Sequence, residues 1–452
     1  MTRVLRNIKM RIQLSDRFTY SRLLRFSLPS MIMMVFTSIY GVVDGLFVSN
    51  FVGKTPFAAI NLIMPIFMIV GAFGFMMGTG GTAVVAKTLG EGERSLANRY
   101  FSLFVYVTAA VGTVMAVLGA IFVRPLSMLL GAEGELLECC VSYGRIVILA
   151  MPFFMLQNLF QSFFIVAEKP KLGLFVTVGA GVTNMVLDAL LVAVIPLGLE
   201  GAAIATSMSQ MVGGLVPVIY FLKKNDSLLA LTKTRFYGRT LLLASANGSS
   251  ELMSNVSASV VTMLYNMQLM RFAGEDGVAA YGVMMYVGFI FIAIFIGYSV
   301  GTAPIVGYNF GAKNEHELKS LLRKSAVISF ALGIAMTLTA FIFARPLSMI
   351  FVSYDEALLE MTVHGFRIFS LSFVLSGFCI YGSSFFTALN NGIVSAAISF
   401  MRTLVFQMAG ILVLPIFWEL DGIWYSMLAA EALALITTFI FLIANRRKYN
   451  YF

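Results

Sequence analysis

The chain has 452 residues, of which 59% are hydrophobic and 12% charged, and its formal net charge is +9. Soluble domains carry about 25% charged residues, so this composition excludes an ordinary water-soluble protein and predicts a chain that lies in lipid. The positive charge gives no support to nucleic-acid binding, because it lies between the apolar stretches and suits an anionic membrane surface. The lipid bilayer is therefore the expected partner.

Twelve apolar stretches are long enough to cross a hydrocarbon core of about 30 Å. They predict an all-α integral membrane protein with twelve transmembrane helices. The predicted spans are 26–50, 57–86, 98–123, 136–160, 170–195, 199–221, 240–270, 278–308, 325–344, 360–385, 392–416 and 421–445.

The distribution of Lys and Arg predicts the orientation of these spans. With the N-terminus inside, 24 of the 31 Lys and Arg residues fall in cytoplasmic segments, as the positive-inside rule requires. Both termini are therefore expected in the cytoplasm.

One segment recurs 221 residues later in the chain. Residues 121–128 and 342–349 share the pattern Ile-Phe-x-Arg-Pro-Leu-Ser-Met, and the same offset relates Gly53 to Gly274 and Gly90 to Gly311. Each copy has six predicted spans, so both copies enter the membrane in the same direction. Two pseudo-symmetric six-helix lobes of this kind are typical of secondary transporters.

The repeat divides the chain into five predicted parts, with a substrate path in the cleft between the lobes. They are a basic N-terminal segment lying on the inner membrane surface (1–25), an N-lobe (26–221), a charged cytoplasmic linker (222–240), a C-lobe (241–445) and a cytoplasmic tail (446–452).

Two acids in the N-lobe spans each share a helical face with a polar residue four positions earlier. Asp44 follows Tyr40, and Asp188 follows Asn184. A charge at mid-membrane is costly, and such oxygens can share a proton or bind a small cation. We interpret them as a coupling-ion site. The alternative is that the two acids form buried hydrogen bonds that lock helix packing, with Thr206 or an arginine.

The remaining charged residues inside the spans are less informative. Glu251, near the start of the seventh span, fits a functional or a structural role, and Glu431 is a weaker candidate. Three basic residues could neutralise acids and are interpreted as structural pairs: Arg145 (with Glu138), Arg367 and Arg402.

The polar N-lobe residues have no copy in the second repeat. The offset maps Asp44 to Tyr265, Asn184 to Val405, Asp188 to Ala409 and Thr206 to Met427. The local failure of the symmetry therefore predicts the position of the ion site. The 28 Met, 41 Phe and 17 Tyr residues favour an adaptable pocket for bulky apolar cations, although ordinary core and lipid-facing filler accounts for most of them.

These residues resemble the multidrug and toxic compound extrusion (MATE) family, in its DinF-like and MepA-like prokaryotic branch. The resemblance rests on Leu28-Pro29, Tyr40-Gly-Val-Val-Asp44, the Gly-rich end of span 2 and Thr183-Asn184-Met-Val-Leu-Asp188. It implies a proton- or Na⁺-responsive network in the N-lobe, formed by Asp44, Asn184, Asp188 and Thr206 with Tyr40 beside it. It also implies further cavity residues at Asn158, Gln161 and Glu251.

The resemblance further implies a monomeric efflux antiporter in the inner membrane of a prokaryote. Its partners would be organic cations or drugs, exchanged for H⁺ or Na⁺, with no cofactor and no resident metal. Two alternatives remain. A flippase for lipid-linked sugars would need several Arg and Lys in its cavity, and an integral membrane transferase would need clustered acids that bind Mg²⁺. We expect no enzyme activity.

Overall fold

The computed structural model describes residues 12–353 and 355–451, without the side chains of residues 42, 44–46, 49, 50, 54 and 57. This described part is helical and contains no β-strand. Its α-helices are α1 (Tyr20–Phe51), α2 (Lys54–Gly90), α3 (Arg94–Leu129), α4 (Gly134–Leu149), α5 (Met151–Val166), α6 (Pro170–Asp188), α7 (Gly198–Leu222), α8 (Gly238–Gly311), α9 (Glu315–Ile342), α10 (Ala344–Val352), α11 (Glu356–Ser370), α12 (Phe373–Ala388), α13 (Gly392–Phe400), α14 (Phe406–Val413) and α15 (Pro415–Tyr449). Two π-helical turns, Ala189–Val194 and Met401–Val405, follow α6 and α13.

The helices in the described residues are long and apolar enough for up to twelve membrane crossings. Nine helices in the described residues are long and apolar enough to span a bilayer, and the bent pairs α4–α5 and α11–α12 add two more. Helix α8 has 74 residues, or about 110 Å at 1.5 Å per residue, which is several times the hydrocarbon thickness. It breaks at Gly274 (φ 61°, ψ −149°). Dividing α8 there gives twelve candidate spans, the number that the sequence predicts.

Gly274 and its repeat partner Gly53 occupy equivalent turns. Gly53, with φ 115°, separates α1 from α2, just as Gly274 separates the two halves of α8. Both values of φ lie in the region that side chains with a Cβ atom avoid. The 221-residue repeat is therefore a repeat of backbone geometry, and we call α1–α7 the N-lobe and α8–α15 the C-lobe.

The two chain ends and the inter-lobe linker lie at the same end of the bundle, which we call the terminal face. Here Leu14 N–H donates to Glu168 (2.8 Å), and Asn450 contacts Glu315 (2.9 Å). Within residues 12–19, Leu14 and Phe18 are buried against the helices, whereas most of the other side chains of this segment are exposed. The placement of residues 1–25 on the membrane surface stays a prediction. The first eleven residues of that predicted segment lie outside the described residues. Helix α1 begins at Tyr20, earlier than predicted.

The linker runs extended along α3 in the N-lobe. Asn98 and Ser102 accept hydrogen bonds from the backbone N–H groups of Ala230 (3.1 Å) and Thr232 (2.9 Å). Four residues of an α-helix advance about 6 Å and two extended residues advance about 6.6 Å, so the two spacings match. The linker is therefore docked on the N-lobe by a regular set of bonds.

Glycines bring the two lobes into backbone contact along a seam near the terminal face. A methyl group on Gly80 would lie 1.9 Å from the carbonyl oxygen of Ala244, and one on Gly90 would lie 2.0 Å from that of Tyr308. On the C-lobe side, methyl groups on Gly248 and Gly311 would lie equally close to α2 carbonyls. These contacts run from the terminal face to about the middle of α2.

Candidate functional site

A cavity of about 210 Å³ lies inside the N-lobe, enclosed by α1, α2, α4, α5, α6 and α7. It brings together five of the residues singled out from the sequence: Tyr40, Asn158, Gln161, Asn184 and Thr206. Tyr40 is about 30 Å along α1 from Tyr20, so the cavity lies in the half of the lobe that is farther from the terminal face.

Asp188 lies one helical turn after Asn184 and is fully buried. It is the last residue of α6, immediately before the π-helical turn Ala189–Val194. Such turns are uncommon and often occur at functional sites, because they redirect side chains from the regular helical face. The backbone of Asp44 belongs to α1, whereas its side chain lies outside the described part of the structure.

Four buried polar atoms of the cavity walls have no hydrogen-bond partner among the described residues. They are Gln157 Oε1, Asn158 Nδ2, Thr206 Oγ1 and Gln210 Oε1. Buried polar groups are otherwise nearly always paired, so these atoms are available to a substrate, an ion or water. Sequence reasoning missed Gln157 and Gln210. The sequence signal for these two glutamines was a polar side chain inside an apolar span. Unlike the acids, they carry no charge.

The remaining cavity wall consists mainly of methionine and aromatic side chains. Three methionines and several aromatic rings line it: Met64, Met68, Met151, Phe67, Phe75, Phe154 and Tyr40. Gly181 lets the aromatic face of α1 approach α6, because a methyl group there would lie 2.5 Å from the Phe36 ring and 3.2 Å from the Tyr40 ring. The cavity therefore combines polar atoms with a surface that adapts to bulky apolar groups.

A second cavity, of about 140 Å³, lies between the lobes and extends into the C-lobe. Glu251 and Arg402 line it, together with Thr79, Thr82 and Ser162 from the N-lobe and a row of C-lobe hydroxyl groups. Ser383 bonds Ser399 (2.8 Å) within that row. The structure therefore places Asn158 and Gln161 in one cavity and Glu251 in another.

The C-lobe has its own buried charge pair. Arg402, in the second π-helical turn, binds Glu431, whose side chain is fully buried. The sequence interpretation ranked Glu431 as weak and so missed the importance of this pair, although it did foresee that Arg402 would neutralise an acid. The pairing of Arg145 with Glu138 is wrong, because Glu138 binds Arg124 instead.

Comparisons with known proteins agree with this architecture. The model of the MatE family matches residues 29–190 and 252–413, one copy in each lobe. The multidrug export protein MepA of Staphylococcus haemolyticus is 26% identical over 425 residues, which cover 93% of each chain.

Two solved structures share the fold at 22% sequence identity. A MATE protein crystallised in complex with MaL6 superposes with a TM-score of 0.91, covering 96% of this chain and 98% of that one. A multidrug resistance MATE family transporter in an outward-facing conformation also gives 0.91, covering 98% and 99%. Because the family model covers most of the chain, in two copies that coincide with the two lobes, this protein is a membrane transporter of the MATE family and not an enzyme.

Proposed function

We propose that the protein exports organic cations and drugs across the cytoplasmic membrane in exchange for H⁺ or Na⁺. The observation that carries this proposal is the N-lobe cavity, where a methionine- and aromatic-lined wall meets polar atoms that have no hydrogen-bond partner among the described residues, those of Gln157, Asn158, Thr206 and Gln210. The relatives named as multidrug export proteins support the same activity.

Asp188 is the residue expected to couple the ion to transport. It is buried and follows Asn184 by one turn, and Thr206 lines the cavity with Asn184. A carboxylate deep in a membrane protein favours a proton or cation, because either one removes the cost of a buried negative charge. The proposed network also includes Asp44 and Tyr40, which the sequence resemblance implies. Carboxylate, amide and hydroxyl oxygens suit both H⁺ and Na⁺.

The seam near the terminal face supports an alternating-access cycle. The lobes touch there through Gly80, Gly90, Gly248 and Gly311, while the N-lobe cavity lies in the opposite half of the bundle. We infer that the terminal face is cytoplasmic, because its loops are basic and the positive-inside rule favours such loops on that side. The state described here would then be closed towards the cytoplasm, and transport would require the seam to open.

The driving force is sufficient for this role. One charge that moves across 100 mV supplies about 2.3 kcal/mol, and a tenfold ion gradient supplies about 1.4 kcal/mol. Their sum corresponds to a gradient of roughly a few hundredfold for an uncharged drug exchanged for one ion, whereas one-for-one exchange with a monovalent organic cation moves no net charge and supports about a tenfold gradient.

The two alternatives find less support in the cavities. A flippase for lipid-linked phosphates needs a positive cavity, but the basic residue that lines the inter-lobe cavity, Arg402, is already neutralised by Glu431. A transferase of the Mg²⁺-dependent kind needs clustered acids, and no metal-binding group of three or more His, Cys, Asp or Glu occurs in the residues that the structure describes.

The test is ethidium efflux from proteoliposomes, with a pH gradient and a Na⁺ gradient imposed separately at a clamped membrane potential. We expect one of the two gradients to accelerate dye movement in the wild-type protein. Protein-free liposomes set the background rate. A wild-type rate that responds to neither gradient would overturn the antiport proposal.

A further inference from the structure

An apolar groove, which we call the lateral groove, lies on the outside of the N-lobe between α2, α3 and α4. Its volume is about 460 Å³, and every described residue that lines it is apolar. Its rim includes Leu118, Phe122 and Leu129 of α3, which are exposed. Its floor includes Phe67 of α2 and Ile148 of α4, which are buried. The groove therefore runs from an exposed rim to the core of the lobe.

The groove opens where the protein faces the bilayer. Val114, Val117 and Ile121, at neighbouring positions of α3, are apolar and more than half exposed, as on a helix face that contacts lipid. The groove begins about 30 Å along α3 from Arg94, which binds the linker at the terminal face, so it lies in the leaflet farther from that face. Its α3 wall, residues 115–129, advances about 21 Å. One leaflet supplies about half of a hydrocarbon core of about 30 Å, so an acyl chain of that leaflet can follow the groove over most of its length.

Hydrocarbon is the filling that suits this space. A buried water molecule needs two to four polar partners, and no polar side chain lines the groove among the described residues. An empty groove would leave the floor residues without packing partners on one side, which forfeits dispersion energy. An acyl chain supplies those contacts and brings no polar group into the groove.

The second lobe fills the corresponding place with its own side chains. By the 221-residue offset, Val70 in the groove wall corresponds to Phe291, and Pro152 corresponds to Phe373. Phe291 is buried and stacks on Phe373, with 5.3 Å between the ring centroids. The N-lobe therefore lacks the aromatic volume that packs at this position in the C-lobe.

Phe67 belongs to the walls of two spaces. It lines the lateral groove and also the N-lobe cavity. Its neighbour Met68 lines the cavity, and so does Val147, the neighbour of the groove residue Ile148. The partition between the groove and the cavity is therefore one layer of side chains at this point. Whatever fills the groove packs on the back of a ring that bounds the cavity.

We propose that the lateral groove binds one acyl chain of a membrane phospholipid, which packs against Phe67 and holds the wall of the N-lobe cavity closed towards the bilayer. The chain is a structural ligand, because it supplies in the N-lobe the hydrocarbon that side chains supply in the C-lobe. Binding of the chain is independent of the proposed transport activity. Its effect on drug binding rests on the proposed function.

The test is the quenching of a bimane label by a phosphatidylcholine whose acyl chain carries a nitroxide, titrated into the purified protein in excess detergent. The labels are attached to Ile121→Cys, beside the groove, and to Ile342→Cys, its partner in the repeat, after the three native cysteines are replaced by alanine. The two isoleucines are 63% and 66% exposed, so they meet unbound lipid to a similar extent. We expect half-maximal quenching at position 121 at a severalfold lower ratio of lipid to detergent. Coincident curves would overturn the proposal.

Variants that fill the groove test whether the chain binds inside it. Val70→Phe places at the groove wall the residue that the C-lobe has there, and should make the curve at position 121 coincide with that at position 342. Val117→Phe makes the same substitution on the exposed face of α3, outside the groove wall, and should keep the tighter quenching. Leu118→Trp fills the groove from its exposed rim, so it tests the same site if Val70→Phe does not fold. Tight quenching that persists in the filled groove would assign the signal to surrounding lipid only and would overturn the proposal.

Dye binding supplies a second readout, on the support of Phe67. Removal of lipid should weaken the binding of ethidium to the wild-type protein severalfold, and added phosphatidylcholine should restore it. Val70→Phe does not alter a residue of the N-lobe cavity wall, and it should bind ethidium equally with and without lipid. An equal response of the two proteins to lipid would show that the chain does not hold Phe67 in place. The quenching measurement needs neither dye nor ion gradient, so its failure is distinguishable from a failure of the proposed antiport.

Discussion

Arg402 Nε donates to both carboxylate oxygens of Glu431, at 2.9 and 3.0 Å, and its Nη2 lies 2.8 Å from Oε1. By the repeat offset this pair corresponds to Gly181 and Gln210 in the N-lobe. The same two helix positions thus hold a fully formed ion pair in one lobe and a glycine with an unpartnered amide oxygen in the other. The C-lobe therefore carries a neutralised charge pair at the wall of the inter-lobe cavity, whereas the equivalent N-lobe position presents an uncharged amide to the N-lobe cavity.

The first prediction concerns the stability of this pair. Glu431→Ala and Arg402→Ala should each lower the free energy of unfolding by about 3–5 kcal/mol, because each leaves an uncompensated buried charge. The double variant Arg402→Met/Glu431→Leu removes both charges at similar volume and should recover most of that loss. Thermal unfolding in detergent measures all three. A double variant as unstable as the single variants would contradict the argument.

The second prediction concerns Asp188. Asp188→Asn keeps the size of the side chain but cannot titrate, so ethidium efflux should no longer respond to an imposed ion gradient. Dye binding and the unfolding temperature should stay near wild type, since no buried charge is created. Asp226→Asn, an exposed linker acid bound to Lys169, is the matched control. Undiminished gradient-driven efflux at equal expression would exclude Asp188 from coupling.

The third prediction separates a substrate role from a structural role at Thr206. Its hydroxyl has no hydrogen-bond partner within the described residues, so Thr206→Val removes no bond inside the protein and should leave the unfolding temperature unchanged or slightly raised. Dye affinity should fall severalfold. Thr108→Val removes another unpartnered hydroxyl away from both cavity walls, and its dye affinity should equal that of wild type. Fluorescence titration with ethidium compares the two.

The fourth prediction tests the seam between the lobes. In Gly248→Ala the new methyl group would lie 2.0 Å from the Met76 carbonyl oxygen, whereas in Gly282→Ala, on the same helix, nothing lies within 4 Å. Overpacking of this kind costs about 1–3 kcal/mol, and separation of the lobes relieves it. Gly248→Ala should therefore lower the unfolding temperature and increase the distance between spin labels attached at positions 171 and 319, which are exposed on the N-lobe and C-lobe sides of the terminal face. Equal behaviour of the two variants would show that the seam is not tightly packed.

Much of the N-lobe site could be predicted from local patterns. Tyr40 and Asn184 stood out because polar groups inside apolar spans are costly and therefore rare, and the structure brings them into one cavity with Thr206. Gln157 and Gln210 were missed because an uncharged amide in a helix gives little signal until its surroundings are known. The coupling role of Asp188 stays a prediction.

The C-lobe shows why sequence patterns alone were insufficient to predict the buried ion pair. The sequence indicated that the N-lobe acids had no copy, and this led to too little attention to Glu431. Whether a buried acid is paired depends on a partner 29 residues away in the chain and on a π-helical turn that aims Arg402 at it. Neither feature follows from helical periodicity.

The sequence by itself determined the class of protein and its apolar membrane spans, because the cost of exposing polar groups to lipid acts on every residue and so leaves a signal along the whole chain. It also showed the internal repeat, because the two copies still share residues at a constant offset. Only the tertiary structure decided which polar groups meet. It put Asn184 and Thr206 around one cavity, paired Arg402 with Glu431, and placed Leu14 and Phe18 against acids of the two lobes. Such contacts join residues far apart in the chain, and they are set by packing between helices rather than by the preferences of any one segment.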